Sequence, residues 1–204
     1  MSKPTFYINT PIYYVNDKPH LGHAYTTITA DALARFHRAR HEEVRFVTGT
    51  DENSQKNIQA MEKLGETDLQ AYLDRMAGVW RQTWETVGIS FDDFIRTTES
   101  RHVTGALKFW EAVKQNGDIY EGTYEGLYCV GCEGFKIESD LVNERCPLHP
   151  NKDLEQVKER NYFFRLSAYR DELLKYIEEH PEFVQPESRK NEIKNYISEH
   201  LADV

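Results

Sequence analysis

Three groups of residues in this chain of 204 carry side chains whose types and spacing could do chemistry. The first is His20-Leu21-Gly22-His23, two imidazoles bracketing a glycine where an amphipathic run over 21–40 begins. A helix starting there presents unpaired N–H groups and the positive end of its dipole, which together favour a phosphate. Gly22 lacks a Cβ, so a purine or a phosphate can come close to its backbone, and His20 and His23 can donate to phosphate oxygens from either side. The same residues also suit a plain helix cap, and strand-loop-helix context separates the two uses. Such context is present: an apolar strand over 6–10 is followed by a loop bounded by Pro11 and Pro19.

The second group centres on Asp51. An apolar, β-branched run over 44–48 reads as a second, parallel strand ending at Gly49. Ligands in open α/β sheets bind beyond the carboxyl ends of strands, which places Asp51 on the same rim as His20 and His23. A carboxylate there can hold an ammonium group. It can also cap the helix expected over 54–64, and the two roles are compatible.

The third group is Cys129-x2-Cys132, thirteen residues, then Cys146-x2-His149. Ligand pairs at two-residue spacing form two knuckles that can close a tetrahedron on Zn²⁺. With all four ligands supplied by protein there is no open position for a catalytic water. The expectation is one architectural zinc per chain, stabilising an insert with little core of its own. Three cysteines, an odd number, suit a reducing compartment and a metal better than a disulfide framework.

Positioning these groups requires several further elements. The 21–40 helix carries the apolar stripe Tyr25, Ile28, Ala32 and Phe36. A longer stripe of Leu69, Leu73, Met76, Trp80, Trp84 and Val87 has the period of a core-facing helix, broken at Gly88-Ile89-Ser90. Val103, Leu107, Trp110 and Val113 carry another helix to Gly117. Beyond it, residues 119–128 alternate and are punctuated by glycine, like short antiparallel strands. A strand-like run at 162–166 follows, then helices over 168–179 and 188–201, the last packing through Ile193, Ile197 and Leu201. Glu178 and Glu179 read as a solvated face.

The run from Pro11 to Thr26, together with Gly49-Thr50-Asp51-Glu52, the cysteine cluster and Gln185-Pro186-Glu187-Ser188-Arg189-Lys190-Asn191-Glu192, resembles the class I aminoacyl-tRNA synthetases, specifically the bacterial-type methionyl-tRNA synthetases. The resemblance spans nearly the whole chain. It implies an α/β fold: the first half of a Rossmann-like nucleotide-binding domain with parallel strands over 1–117, a connective insert with a zinc knuckle over 118–185, and a helix over 186–204 returning toward a second half.

It further implies ATP-dependent activation of methionine and transfer to tRNA(Met). His20 and His23 would act on the ATP phosphates as the catalytic pair. Asn16 would complete the ATP site with Gly22, which would lie under the adenine. Ile12 and Tyr14 would line the methionine pocket and Asp51 would take the methionine ammonium. Cys129, Cys132, Cys146 and His149 would hold zinc, and Mg²⁺ would accompany ATP. The partners implied are ATP, methionine and the acceptor end of tRNA(Met), with a carboxyl-terminal half supplied separately if the enzyme is split.

The chain departs from the family in two places. Asn53 and Ser54 stand where the family has histidine and glycine, and asparagine cannot carry positive charge. The Lys-Met-Ser-Lys-Ser loop that clamps ATP phosphates in the family does not occur in these residues, so the chain alone is expected to be inactive. The alternative, from another class, is a freestanding synthetase-like module with zinc that binds nucleotide, tRNA or a protein without catalysis.

Composition sets outer bounds. A net charge of −9 opposes nucleic-acid binding by bulk electrostatics, and DNA is not an expected partner. With 29% charged residues and no apolar run of spanning length, no membrane partner is expected. Met1-Ser2-Lys3-Pro4 has no signal-peptide pattern, and the expected location is the cytoplasm.

Overall fold

Strand β3 (Glu43–Asp51) lies at the centre of a four-stranded sheet and is parallel to every partner. Along one edge it pairs with β1 (Thr5–Asn9), from Thr5 opposite Glu43 to Asn9 opposite Val47, and then with the two-residue β2 (Tyr13–Tyr14) opposite Thr50 and Asp51. Its other edge takes β4 (Asp93–Arg96), from Asp93 opposite Val47 to Arg96 opposite Thr50. This is a computed structural model that describes residues 3–132, 134–136 and 141–204. The chain divides into two units, Met1–Leu107 and Lys108–Val204.

Helices α1 (Leu21–Ala39), α2 (Gln55–Lys63) and α3 (Leu69–Val87) complete the first unit. Each begins on a side-chain cap: His20 for α1, Ser54 accepting from the Lys56 N–H for α2, and Asp68 accepting from the Ala71 N–H for α3. Asp51 is therefore not the cap of α2, a position that Ser54 fills. The stripe on α3 packs as its spacing predicts, with Leu73, Met76, Trp80 and Trp84 buried, while Val87 is exposed. Phe46, Val15, Met61, Tyr72 and Phe94 complete that core.

Helix α1 departs from expectation. Tyr25, Ile28, Ala32 and Phe36 point outward, and the buried face is Thr27, Ala30, Asp31 and Ala34. Small residues let α1 lie close to the sheet, and its polar groups are matched. Asp31 accepts the Ser90 N–H and hydroxyl and the Arg35 guanidinium, and Thr27 Oγ1 lies 3.0 Å from the Tyr13 hydroxyl. Apolar periodicity finds the wider stripe on this helix and misses the face that packs.

In the second unit, β5 (Ile119–Cys129) is one long strand rather than several short ones. It is antiparallel to β6 (Gly134–Lys136) and to β7 (Glu155–Phe164). The start of β7 escapes a hydrophobic reading because it is charged: Lys158 stands opposite Glu125 and bonds it at 2.6 Å, and Arg160 reaches Glu121 at 2.7 Å. Helix α4 (Ser100–Gln115), which contains the division after Leu107, buries none of its residues; Val103 and Leu107 are exposed, and Trp110 meets Tyr162 edge-on. Helices α5 (Arg170–Glu179) and α6 (Glu187–His200) pack through Ile177, Ile197 and Leu201, with Ile193 left exposed. Among the described residues no helix is long and apolar enough to cross a membrane.

The β3–β4 pairing depends on Gly49, where a Cβ would sit 2.0 Å from the backbone oxygen of Ile95. Gly49→Ala must separate the strands, and it should destabilise the chain by about 1–3 kcal/mol or more. Gly78→Ala on α3, where a Cβ meets nothing within 4 Å, should be neutral or stabilising by up to about 1 kcal/mol. Urea unfolding of both variants checks this, and equal midpoints would contradict the packing.

Candidate functional site

Two constellations emerge, one in each unit. In the first, β1 ends in a loop that passes through β2 and enters α1, so the residues from Ile12 to His23 are strung along the carboxyl end of the sheet. The loop is anchored by aromatic donors from α3: the Tyr72 hydroxyl donates to the Val15 carbonyl at 2.9 Å and Trp80 Nε1 donates to the Asp17 carbonyl at 2.9 Å. Asn16 is exposed between these anchored residues. The core aromatics of α3 therefore serve the loop as well as packing, a role that periodicity alone does not signal.

At the start of α1 the two histidines form a reciprocal capping box. His20 Nδ1 accepts the Gly22 N–H at 3.0 Å and His23 Nδ1 accepts the His20 N–H at 3.2 Å. The rings stack with centroids 3.7 Å apart, and His23 also packs against Tyr13 and Trp80. Because both Nδ1 atoms accept, the neutral rings carry their protons on Nε2. Capping and anion binding are thus compatible: one nitrogen of each ring ends the helix and the other carries a proton it can donate.

Asp51 ends β3 beside Tyr14, its register partner on β2. Its Oδ1 accepts the Asn53 N–H at 3.0 Å, and its carbonyl accepts from Nδ2 of the fully buried Asn57 at 3.2 Å. Tyr14 lies under the Lys56 ammonium at 5.0 Å, and Ile12 is exposed. The sheet thus brings Ile12, Tyr14 and Asp51 to the end of neighbouring strands, and Asn53 supplies a backbone donor where the sequence comparison stressed its side chain.

Glu52 is a residue of this region that sequence reasoning left without a role. Its side chain is completely buried and is bonded by Arg96, Thr50 and Thr98. The partners on β4 and just beyond it lie more than forty positions away, so no local pattern reveals them.

In the second unit Cys129, Cys132, Cys146 and His149 place one ligand atom each within 4.8 Å of all the others. Cys132 Sγ lies 3.4 Å from Cys146 Sγ and 3.2 Å from His149 Nδ1, which is 3.8 Å from Cys129 Sγ and 3.9 Å from Cys146 Sγ. Four soft or borderline donors converging this closely can hold a metal ion. Gly131 makes room for the cluster, since a Cβ there would fall 2.4 Å from the His149 ring. Burial works against ionisation of Cys146, but hydrogen bonds from His149, Cys132 and the Leu148 N–H outweigh it and bring the thiol to about 6.

A parallel sheet with a capped helix N-terminus and a carboxylate at its carboxyl end, followed by a Cys₃His cluster that could hold a metal, defines an α/β protein of Rossmann-like type. The family model for class I tRNA synthetases of the methionine type, "tRNA synthetases class I (M)", matches residues 6–154 and 134–204, and the chain belongs to that family. The methionine-tRNA ligase of Caldanaerobacter subterraneus subsp. tengcongensis is 50% identical over 185 residues, covering 91% of this chain and 29% of the relative. That of Streptomyces coelicolor is 47% identical over 191 residues, covering 89% and 35%. Mycobacterium tuberculosis methionyl-tRNA synthetase in complex with methionyl-adenylate superposes with a TM-score of 0.92 at 40% identity, covering 98% of this chain and 40% of that one. The chain thus spans about a third of the length of the curated relatives it matches.

The capping box has a consequence in pH. Burial, and then the neighbouring His20, lower the His23 pKa below its ordinary 6.5. Between the folded and unfolded values the unfolded chain binds more protons, so the stability contributed by neutral His23 is complete above about pH 6.5 and is lost as pH falls through the folded value. A ¹⁵N NMR titration should show His23 as the Nε2–H tautomer with a midpoint under 6.5. A midpoint at or above 6.5, or an Nδ1–H tautomer, would contradict the capping geometry.

Proposed function

We propose that this chain supplies the amino-terminal part of a methionine-tRNA ligase, which activates methionine with ATP and passes the methionyl group to tRNA(Met) in the cytoplasm. The observation carrying this reading is the juxtaposition of the His20–His23 cap with Asp51 at the end of β3, in a chain about half identical to ligases of that name. Residues 1–117 form the first half of the catalytic domain on this reading, 118–185 the connective insert, and 186–204 the helix leading toward the second half.

In the proposed reaction ATP enters as its magnesium complex. The Nε2–H groups of His20 and His23 and the N-terminus of α1 receive the phosphates, with Gly22 and Asn16 beside the nucleotide. Asp51 pairs with the methionine ammonium, and Ile12 and Tyr14 border its side chain. A methionine carboxylate oxygen attacks the α-phosphorus in line; the bond to the bridging oxygen breaks and pyrophosphate leaves with that electron pair. A hydroxyl of the terminal tRNA nucleoside then attacks the methionyl carbonyl and AMP departs. No enzyme nucleophile is required, so catalysis rests on orientation and on donors aimed at the phosphates.

For the Cys₃His cluster the proposed metal is zinc. Tetrahedral coordination with Zn–S of about 2.3 Å and Zn–N of about 2.0 Å puts donor atoms about 3.5–3.8 Å apart; four of the donor pairs lie 3.2–3.9 Å apart, and all lie within 4.8 Å. Zinc there would cross-link the end of β5 to the loop carrying Cys146 and His149. Purified protein should contain one zinc per chain by elemental analysis, and Cys129→Ser with Cys132→Ser should remove it. Absence of zinc without chelator, or full retention in the double variant, would contradict the assignment.

The activity is tested by methionine-dependent exchange of labelled pyrophosphate into ATP, measured with this chain and a supplied carboxyl-terminal ligase polypeptide. Asp51→Ala should raise the methionine KM at least about tenfold through loss of a charge-assisted contact, with the ATP KM little changed. Equal effects on both substrates would count against the ammonium role, and exchange by this chain alone would show that the 204 residues suffice.

A further inference from the structure

The carboxylate of Glu52 is completely buried, and its partners lie within the structure. Its Oε1 accepts from Arg96 Nε at 2.6 Å and from Thr50 Oγ1 at 3.0 Å, while Oε2 accepts from Arg96 Nη2 at 3.1 Å and from the Thr98 hydroxyl. The Glu52 N–H donates to Thr97 Oγ1 at 2.8 Å, and the Thr97 N–H to the Thr50 carbonyl at 3.3 Å. Arg96 is in turn held by Asp74 of α3 at 2.6 Å. This network ties the ends of β3 and β4 to α3.

Asp51 immediately precedes this anchored residue. Neighbouring residues of an extended chain project to opposite sides, so fixing the Glu52 side chain inward turns Asp51 outward. From the other direction, Asn57 holds the Asp51 carbonyl and the Asn53 N–H holds its Oδ1. The capping histidines draw on none of these bonds; their partners are Gly22, His20 itself, Tyr13 and Trp80.

We propose that Glu52 and Arg96 are positioning residues that fix the orientation of Asp51, so that their ion pair sets methionine recognition independently of the phosphate site. The inference rests on the ligase reading of Asp51, but the brace itself is a property of this chain. A buried Arg–carboxylate pair joined through two nitrogens specifies geometry as well as attraction. Lysine at position 96 keeps the charge and loses the planar fork. Losing Arg96 leaves the Glu52 carboxylate buried without its counter-charge, and the strand end then rearranges to find water.

Two measurements on Arg96→Met, Arg96→Lys and Glu52→Gln test this. The first is amide hydrogen exchange at Asn53 in this chain, which reads the Asp51 carboxylate directly. Exchange should accelerate about tenfold or more in Arg96→Met and less in Arg96→Lys, with the Gly22 amide little altered. The second is pyrophosphate exchange with the supplied carboxyl-terminal polypeptide, where the methionine KM should rise about tenfold or more while the ATP KM stays within about twofold, and Arg96→Lys should recover part of the loss.

Should Arg96→Met fail to fold, Glu52→Gln, which keeps the shape of the side chain, decides by the same criteria. Asn53 protection and methionine KM both unchanged in a folded variant would overturn the proposal. So would parallel loss at Asn53 and Gly22, or equal rises in both KM values, which mark general loosening. If the parent protein shows no methionine-dependent exchange, the ligase reading fails, and the Asn53 amide still decides whether the brace exists.

Discussion

Parallel hydrogen bonding of β3 to three other strands is the constraint on which the first unit depends. β1 pairs with the start of β3, β2 with its last two residues and β4 with its middle, so displacing β3 disturbs both edges of the sheet together. The consequence for chemistry is directional. Parallel strands end on one side, and the loops leaving β1, β2 and β3 all emerge there, carrying Ile12 to His23 from one direction and Asp51 from the other. Close approach at Gly49 and the buried contact between the Thr10 and Thr48 hydroxyls, 2.7 Å apart, show how little slack the strand ends retain.

Several polar groups beneath the rim hold specific partners, although the buried Asn57 Oδ1 and Trp84 Nε1 find no hydrogen-bond partner among the described residues. Asp31 locks α1 to the turn before β4, Glu52 locks β3 to β4, and Tyr72 and Trp80 hold the loop that enters α1. A buried ion pair contributes little net stability over an apolar pair of the same shape, although breaking one costs about 3–5 kcal/mol. What such bonds supply is a defined direction for the neighbouring side chains. That matters for a reaction in which orientation carries much of the barrier reduction. In the second unit the proposed metal follows a parallel logic, its four ligands joining the end of β5 to the loop carrying Cys146 and His149.

Much of this was legible in residue order because it is local. Two-residue ligand spacing identifies the Cys₃His cluster, a glycine between histidines at a strand-helix junction identifies the cap, and the stripe from Leu69 to Trp84 identifies the packed face of α3. What escaped detection depends on partners distant in sequence. Four-residue β4 has too little apolar character to stand out, the charged start of β7 is stabilised by cross-strand pairs, and the packed face of α1 is built from small and polar residues whose burial only the fold explains. Glu52 belongs to the same class, since its partners Arg96 and Thr98 stand at the end of β4 and just beyond it.

On the proposed function two separable half-sites, a phosphate site at the α1 cap and an ammonium site at the end of β3, share the carboxyl rim of one parallel sheet. The most direct test is ¹H–¹⁵N chemical-shift mapping of this chain on adding ATP and methionine in separate titrations. ATP should move the amides of Leu21, Gly22 and His23, and methionine those of Tyr14, Asp51 and Asn53, with the amides around Cys129 and Cys146 undisturbed by either. Perturbations that fall on the opposite end of the strands, or the same residues responding to both ligands alike, would contradict the account.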